Sequence, residues 1–194
     1  MVGERLHGTD GIRGKIGKCL DSENPIEKLI LQREFSPALA HIIGYSSGSV
    51  IVGDSEQDKK KPLVVIGWDR RDGNAEIVDE IENGLSQSGC RTQRVGEVPT
   101  PGLHHCLLLL NADAGMMITA SHNPASDSGV KLFDCNGYKS MPEFEDLISK
   151  KAWTYSSEPI STPVENSEKL PPFDGMRAYR KHLKSWLNLV SSTV

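Results

Sequence analysis

A hydroxyl, an imidazole and an amide follow one another at Ser121-His122-Asn123, and a lysine, Lys131, stands ten residues after the serine. A serine hydroxyl can accept and pass on a group, and a lysine ammonium is a suitable point charge for a phosphate. The apolar run Ala114-Gly115-Met116-Met117-Ile118 precedes the serine and reads as a buried strand. The chain then breaks into turn formers, Asn123, Pro124, Ser126, Asp127, Ser128 and Gly129. The serine is thereby expected at the C-terminal end of a sheet strand, where open α/β sheets place their ligand sites. A second strand, Val130-Lys131-Leu132-Phe133, can bring the Lys131 ammonium back toward it. Turn chemistry taken alone also describes an ordinary solvated loop.

A second, distant motif adds to this one. Gly8-Thr9-Asp10-Gly11-Ile12-Arg13-Gly14 lies near the N-terminus. With Thr119-Ala120-Ser121-His122-Asn123-Pro124 and the offset of Lys131, it resembles the α-D-phosphohexomutase family, which includes phosphoglucosamine mutase and phosphoglucomutase/phosphomannomutase. The resemblance covers residues 5 to about 150 and is to the first of that family's four domains. It implies that Ser121 is the phosphoserine of a hexose-phosphate mutase, moving a phosphoryl group within a sugar phosphate. Lys131 then matches a general acid/base and phosphate neighbour, and Arg13 a cation near the transferred group. His122 and Asn123 flank the serine and shape the loop or touch substrate. Mg²⁺ is implied in the complete enzyme, with Ser121 a ligand through its phosphate.

The same resemblance divides the chain. Residues 1–153 look like domain I, 154–173 like a proline-rich linker, and 174–194 like the helix that opens domain II. An Asp-Gly-Asp metal loop, a sugar-selecting loop and an arginine-rich phosphate clamp, all expected in domains II to IV, are missing from the sequence. The chain alone is therefore expected to be inactive as a mutase, whether it is a fragment or a one-domain relative. A second reading stays open: a non-catalytic domain binding a sugar phosphate or a protein partner. Three departures bear on it. His7 stands where an aromatic is usual, Ser128 where Asn is common, and Asp69-Arg70-Arg71-Asp72-Gly73 lacks the usual serine.

Composition narrows the rest. With 194 residues, 37% hydrophobic and 25% charged, the chain is long enough for one well-packed globular domain plus an extension. A net charge of -4 carries no nucleic-acid footprint. The first twenty residues are charged and glycine-rich, and no apolar run reaches the roughly 20 residues of a membrane span. Cys19, Cys90, Cys106 and Cys135 form no C-x-x-C pair, which suits free thiols in a reducing cytoplasm. His104-His105 looks like a metal pair, but neighbouring helical residues do not share a face.

Strands are expected at Ile12 to Ile16, Leu63 to Gly67, Arg91 to Val95, Ala114 to Ile118 and Val130 to Phe133. A helix capped by Ser36 and entered at Pro37 is expected to end at Ser46 to Gly48. Others cover Ala75 to Ser88, the stretch after Pro101 with Leu103, Leu107 and Leu110, and the stretch from Pro142 through Leu147 and Ile148. Asp54 to Lys61 and Asp69 to Asn74 read as solvated loops. Strand-helix alternation, with a short loop before the last strand, predicts a three-layer α/β/α sandwich on a mixed, mostly parallel sheet. A linker with Pro159, Pro163, Pro171 and Pro172 follows, then a helix over Asp174 to Val190. Its stripe of Met176, Tyr179, Leu183, Trp186, Leu187 and Val190 is expected to be poorly covered, or to self-associate.

Overall fold

The computed structural model describes residues 5–18, 23–54, 61–157 and 168–191. Cys19, most of the Asp54 to Lys61 loop, residues 158–167 of the expected linker and the Val190 side chain lie outside the described residues, and residues 154–156 of that linker belong to a helix. In chain order the elements are β1 (Ile12–Ile16), α1 (Pro25–Gln32), β2 (Glu34–Phe35), α2 (Pro37–Asp54), β3 (Leu63–Trp68) and α3 (Asn74–Gln87). They continue with β4 (Arg91–Glu97), α4 (Thr100–Leu109), β5 (Ala114–Ile118), β6 (Asp127–Asp134), α5 (Pro142–Ser156) and α6 (Gly175–Ser191).

The strands form one sheet in the order β2-β1-β6-β5-β3-β4. β1 with β2, and β3 with β4 and β5, pair parallel, while β6 runs antiparallel to both β1 and β5. The expected mixed, mostly parallel α/β sheet is what forms. Alternation along the strands sends Ile12, Ile66, Met116, Ile118 and Val130 to one face, against α1, α2, α3 and α5. Val65 and Met117 go to the other, against α4, with Met176 of α6 packed beside them.

Two elements were not expected. Asn24 caps α1 by accepting from the N–H groups of Ile26 and Glu27, with Pro25 at the first helical position. Arg33, left-handed at φ 54, ends that helix and feeds the two-residue β2. The Ser36 cap holds, its Oγ accepting from Leu39 N–H at 3.2 Å. α2 does not stop at Ser46 to Gly48, however, but runs to Asp54. Its glycines serve packing rather than termination. A Cβ on Gly44 would sit 2.3 Å from the Ile81 carbonyl, and one on Gly84 of α3 would sit 2.3 Å from that of His41. α2 and α3 thus touch backbone to backbone.

The segment before α6 is extended, but it is not a free tether. Glu168 O accepts from Thr92 N–H, and Leu170 and Phe173 N–H donate to the carbonyls of Thr92 and Arg94, along the open edge of β4. This delivers α6 onto α4. Gly175 is tight against Val95, and Tyr179 and His182 reach His105. Farther along α6, Leu183, Trp186 and Leu187 are exposed. On α5, Ile148 is buried whereas Leu147 is exposed.

Candidate functional site

β3 and β5 run parallel, so Asp69 and Thr119, the residues just after them, emerge side by side; Asp69 N–H donates to Ile118 O at 3.1 Å. β6 runs the other way and starts at the same end. Thr119 N–H donates to Gly129 O at 2.9 Å, closing the base of the loop that carries Ser121.

Ser121 has φ 56, in the left-handed region. For a residue with a Cβ this costs about 1–2 kcal/mol, so other contacts must impose it. Thr119 Oγ1 accepts from Ser121 N–H at 2.9 Å and itself donates to Asp69 Oδ2 at 2.5 Å. Ser121 O accepts from Arg71 Nη2 at 2.6 Å. The Ser121 hydroxyl itself has no hydrogen-bond partner among the described residues. His122 is exposed, and Asn123 donates through Nδ2 to Asp127 Oδ2 at 2.9 Å.

Arg13 and Lys131 are brought together, by a residue that sequence reasoning did not single out. Arg13 stands opposite Gly129 and Lys131 opposite Met117, so both side chains leave the sheet on the α4 face. The turn from Gly8 to Gly11 folds over them. Gly11 adopts φ +96, and a Cβ there would meet Val130 O at 2.3 Å. Asp10, in that turn, takes Lys131 Nζ at 2.7 Å and Arg13 Nη2 at 2.5 Å on one carboxylate oxygen. Burial works to raise the Asp10 pKa, but the bonds from Lys131 and Arg13 outweigh it and hold the carboxyl below its usual range. Arg13 Nε is buried with no partner among the described residues. Two cations thus share one carboxylate, leaving net positive charge and an unfilled donor. Neither cation bonds the Ser121 hydroxyl; Lys131 is engaged by Asp10 instead.

The Asp69 to Asn74 segment is solvated only in part: Arg70, Asp72 and Gly73 are exposed as expected, but Arg71 and Asn74 turn inward. Arg71 is nine-tenths buried in its side chain and reaches the carbonyls of Ser121, Asn123, Pro124 and Asp127. Asn74 donates to Asp69 O and Oδ1 and accepts from Ser128 Oγ at 2.6 Å. Ser128, a departure from the family pattern, is thereby built into the support of the loop. Nothing local in the sequence marks this role of Arg71, because apart from the Asp69 carboxylate its partners lie 50 to 56 residues away and are main-chain atoms.

No group of three or more His, Cys, Asp or Glu among the described residues is placed to hold a metal ion. His104 packs against Gly137, while His105 stacks on His182 with ring centroids 4.2 Å apart. Cys90, Cys106 and Cys135 are free. Burial pushes the Cys90 and Cys106 thiols up to about 11, which leaves them inert at neutral pH. No helix among the described residues is long and apolar enough to cross a membrane.

A helix-sheet-helix sandwich with a polar serine loop at the carboxyl ends of its central strands defines an α/β/α ligand domain. Residues 4–159 match the family described as phosphoglucomutase/phosphomannomutase, alpha/beta/alpha domain I. The phosphoglucosamine mutase of Corynebacterium aurimucosum is 34% identical over 180 residues, covering 92% of this chain and 37% of that protein. That of Psychrobacter arcticus is 38% identical over 144 residues, covering 74% and 29%. In fold the chain is similar to a phosphoglucomutase/phosphomannomutase family protein from Burkholderia thailandensis, with a TM-score of 0.66, 23% identity and coverage of 92% and 35%. The open form of the Paramecium phosphoglucomutase pp63/parafusin gives 0.62 at 19% identity. The chain belongs to the phosphoglucomutase/phosphomannomutase family, as its domain I, and spans about a third of the length of the curated relatives it matches.

Proposed function

We propose that this chain is the phosphoserine-bearing domain of a cytoplasmic hexose-phosphate mutase, with Ser121 as the residue that carries the phosphoryl group. The observation that carries the reading is the Ser121 hydroxyl: it has no partner among the described residues, on a residue held left-handed at a strand end. Strained backbone and an unengaged nucleophile coincide at one position.

The chemistry is a transfer between oxygens. A sugar hydroxyl attacks the phosphorus of phosphoserine 121, the bond from phosphorus to Oγ breaks, and the proton lost by the hydroxyl ends on Oγ. Transfer back from the sugar's other phosphate restores the phosphoserine. Such a transition state asks for positioning and charge neutralisation more than for covalent help. Arg13 and Lys131 supply the positive charge, and Asp10 keeps the two cations on one side of the sheet. Lys131 is the group at hand to exchange the proton. His122 and Asn123 stand at the loop surface, where a sugar phosphate would arrive.

Mg²⁺ is the cofactor expected of the complete enzyme. The described residues do not make a site for it: phosphoserine 121 would give one oxygen, and no carboxylate cluster accompanies it.

The test is to incubate the purified chain with a hexose bisphosphate and locate any phosphoryl adduct by peptide mass spectrometry. A single adduct at Ser121, absent in Ser121→Ala, is the expected result. Isomerisation of hexose phosphate by this chain alone is expected to be undetectable, since positioning by the rest of a cleft can be worth roughly 7–11 kcal/mol. An adduct elsewhere, or none, would refute the assignment.

A further inference from the structure

The Arg71 guanidinium stands beside the serine loop, and its shape and donors settle what it does there. Nε donates to Asp69 Oδ2 at 3.0 Å. Nη2 donates to Ser121 O at 2.6 Å and Asn123 O at 3.3 Å. Nη1 donates to Pro124 O at 2.6 Å, Asp127 O at 3.0 Å and Asn123 O at 3.3 Å. A guanidinium has five N–H donors in a fixed planar fork and no acceptor. All three nitrogens are therefore occupied by the loop and by Asp69, and no donor remains for a substrate phosphate. Arg71 differs in this from Arg13, whose buried Nε has no partner among the described residues.

The carbonyls fix the other side of the loop as well. Across a planar trans peptide, the C=O and the following N–H point in opposite directions. With Ser121 O turned in to Arg71, His122 N–H is turned out. With Pro124 O turned in, Ala125 N–H is turned out. Neither amide has a hydrogen-bond partner among the described residues. One buried cation thus gathers the oxygens of the loop on its inner side and leaves main-chain donors on the outer side, next to the Ser121 hydroxyl. Asn123 N–H is taken by Ala120 O and Pro124 has no N–H, so these two amides are the main-chain donors that the loop from His122 to Ala125 offers an anion. The charge is worth burying because Asp69 neutralises it and four main-chain oxygens solvate it.

We infer that Arg71 is the positioning residue of the phosphoryl site: it sets the left-handed turn at Ser121 and aims the His122 and Ala125 N–H groups at the phosphoryl oxygens, without touching substrate. The catalytic consequence rests on Ser121 being the phosphoserine, but the geometric part does not, and the experiment separates them.

Arg71→Met removes the fork, and Arg71→Lys keeps a buried cation beside Asp69 but cannot span four carbonyls. Both are compared with the unaltered chain by amide hydrogen exchange and by the rate of Ser121 phosphorylation from a hexose bisphosphate. Exchange at Ser121, Asn123 and Asp127 is expected to accelerate about tenfold or more, equivalent to one lost charge-assisted hydrogen bond. Exchange at Val65 and Met116 in the sheet should hold steady. The phosphorylation rate at saturating bisphosphate is expected to fall about 100-fold, with the half-saturating concentration unchanged. If Arg71→Met fails to fold, Arg71→Lys carries the same comparison. Loop exchange that stays at the wild-type rate in Arg71→Lys overturns the inference. So does a variant whose only defect is a raised half-saturating concentration, since that would make Arg71 a substrate ligand. Should the unaltered chain never be phosphorylated at Ser121, the functional reading fails, and loop exchange alone decides what Arg71 does.

Discussion

The two faces of the sheet are unequal, and the two cations of the proposed chemistry lie on the weaker one. Among the described residues, twenty-five buried ones form the cluster under α1, α2, α3 and α5, whereas nine form the cluster under α4. On the thick face, helices meet backbone to backbone through Gly44 and Gly84. On the thin face, Arg13, Lys131 and Asp10 occupy the positions beyond α4 where apolar side chains would otherwise seek cover. Stability and site have been separated across one sheet. The face that buries most apolar area fixes the strands, which frees the other to carry charges that contribute little to folding.

The largest expected effect tests the thick face. Gly84→Val would drive a branched side chain into the His41 carbonyl and the Tyr45 N–H, at 2.3 Å and 2.6 Å from Cβ. Neither backbone can yield without separating α2 from α3, so the loss should be about 3 kcal/mol, at the upper end for overpacking. Ser121→Ala, in the loop at the strand ends, removes a half-buried hydroxyl without a partner among the described residues and should stay within about 0.5 kcal/mol. Denaturant melts of the two variants check the contrast. Equal losses would mean that the faces are not divided in this way.

A smaller effect concerns the edge where the N-terminal motif meets α5. His7 is buried, with both ring nitrogens lacking partners among the described residues. Burial lowers its pKa from 6.5 to about 4, Glu145 pulling the other way and Arg5 and Lys139 adding to the fall. The folded chain holds the ring neutral where the unfolded chain would protonate it. This stabilisation is complete above pH 6.5 and is lost as pH falls from there toward 4. From pH 7 to pH 5 the loss should be roughly 2 kcal/mol, because each pH step below the unfolded pKa removes about 1.36 kcal/mol. His7→Phe puts an aromatic there, as is usual in the family, and should remove that part of the acid sensitivity. An unchanged slope of stability against pH in His7→Phe would show that other groups carry it.

How much of this was legible in the sequence follows the same division. β3 and β5 are continuous apolar runs and α3 is long and periodic, all bounded by clear breakers, so their places could be read directly. α1 and β2 are eight and two residues long, too short for a period to show. In α2, Ser46 to Gly48 looks like punctuation when Ser88 and Cys90, against which Gly48 packs, cannot be seen. At the site, Ser121, Lys131 and Arg13 announced themselves by type and spacing. Asp10 and Arg71 did not, because a residue that positions others is defined by contacts across the fold. A carboxylate between two cations, or an arginine facing main-chain oxygens 50 residues on, leaves no pattern in one dimension.

The least effect, and the most local, is expected at α6, where the thin face ends. The start of this helix is pinned: Gly175 sits against Val95 and Cys106, and Met176 packs into the α4 cluster. Two turns later the seam with α4 rests on His105 stacked against His182, and beyond it Trp186 and Leu187 stand exposed. Partial burial, then His182 and His104, lower the His105 pKa, so the docked helix favours the neutral ring and an undocked one would take up a proton more readily. Docking of this part of α6 should therefore be complete above about pH 6.5 and weaken as pH falls below it. Amide exchange at residues 183–188 should be faster at about pH 5.5 than at about pH 7.5, on either side of the ordinary histidine pKa, after correction for intrinsic rates, while β3 and β5 keep their protection. His105→Phe retains a stacking ring without the proton and should abolish the difference. If residues 183–188 are equally protected at both pH values, the histidine stack does not hold the helix, and the pinned first turn alone must account for how α6 stays on the sheet.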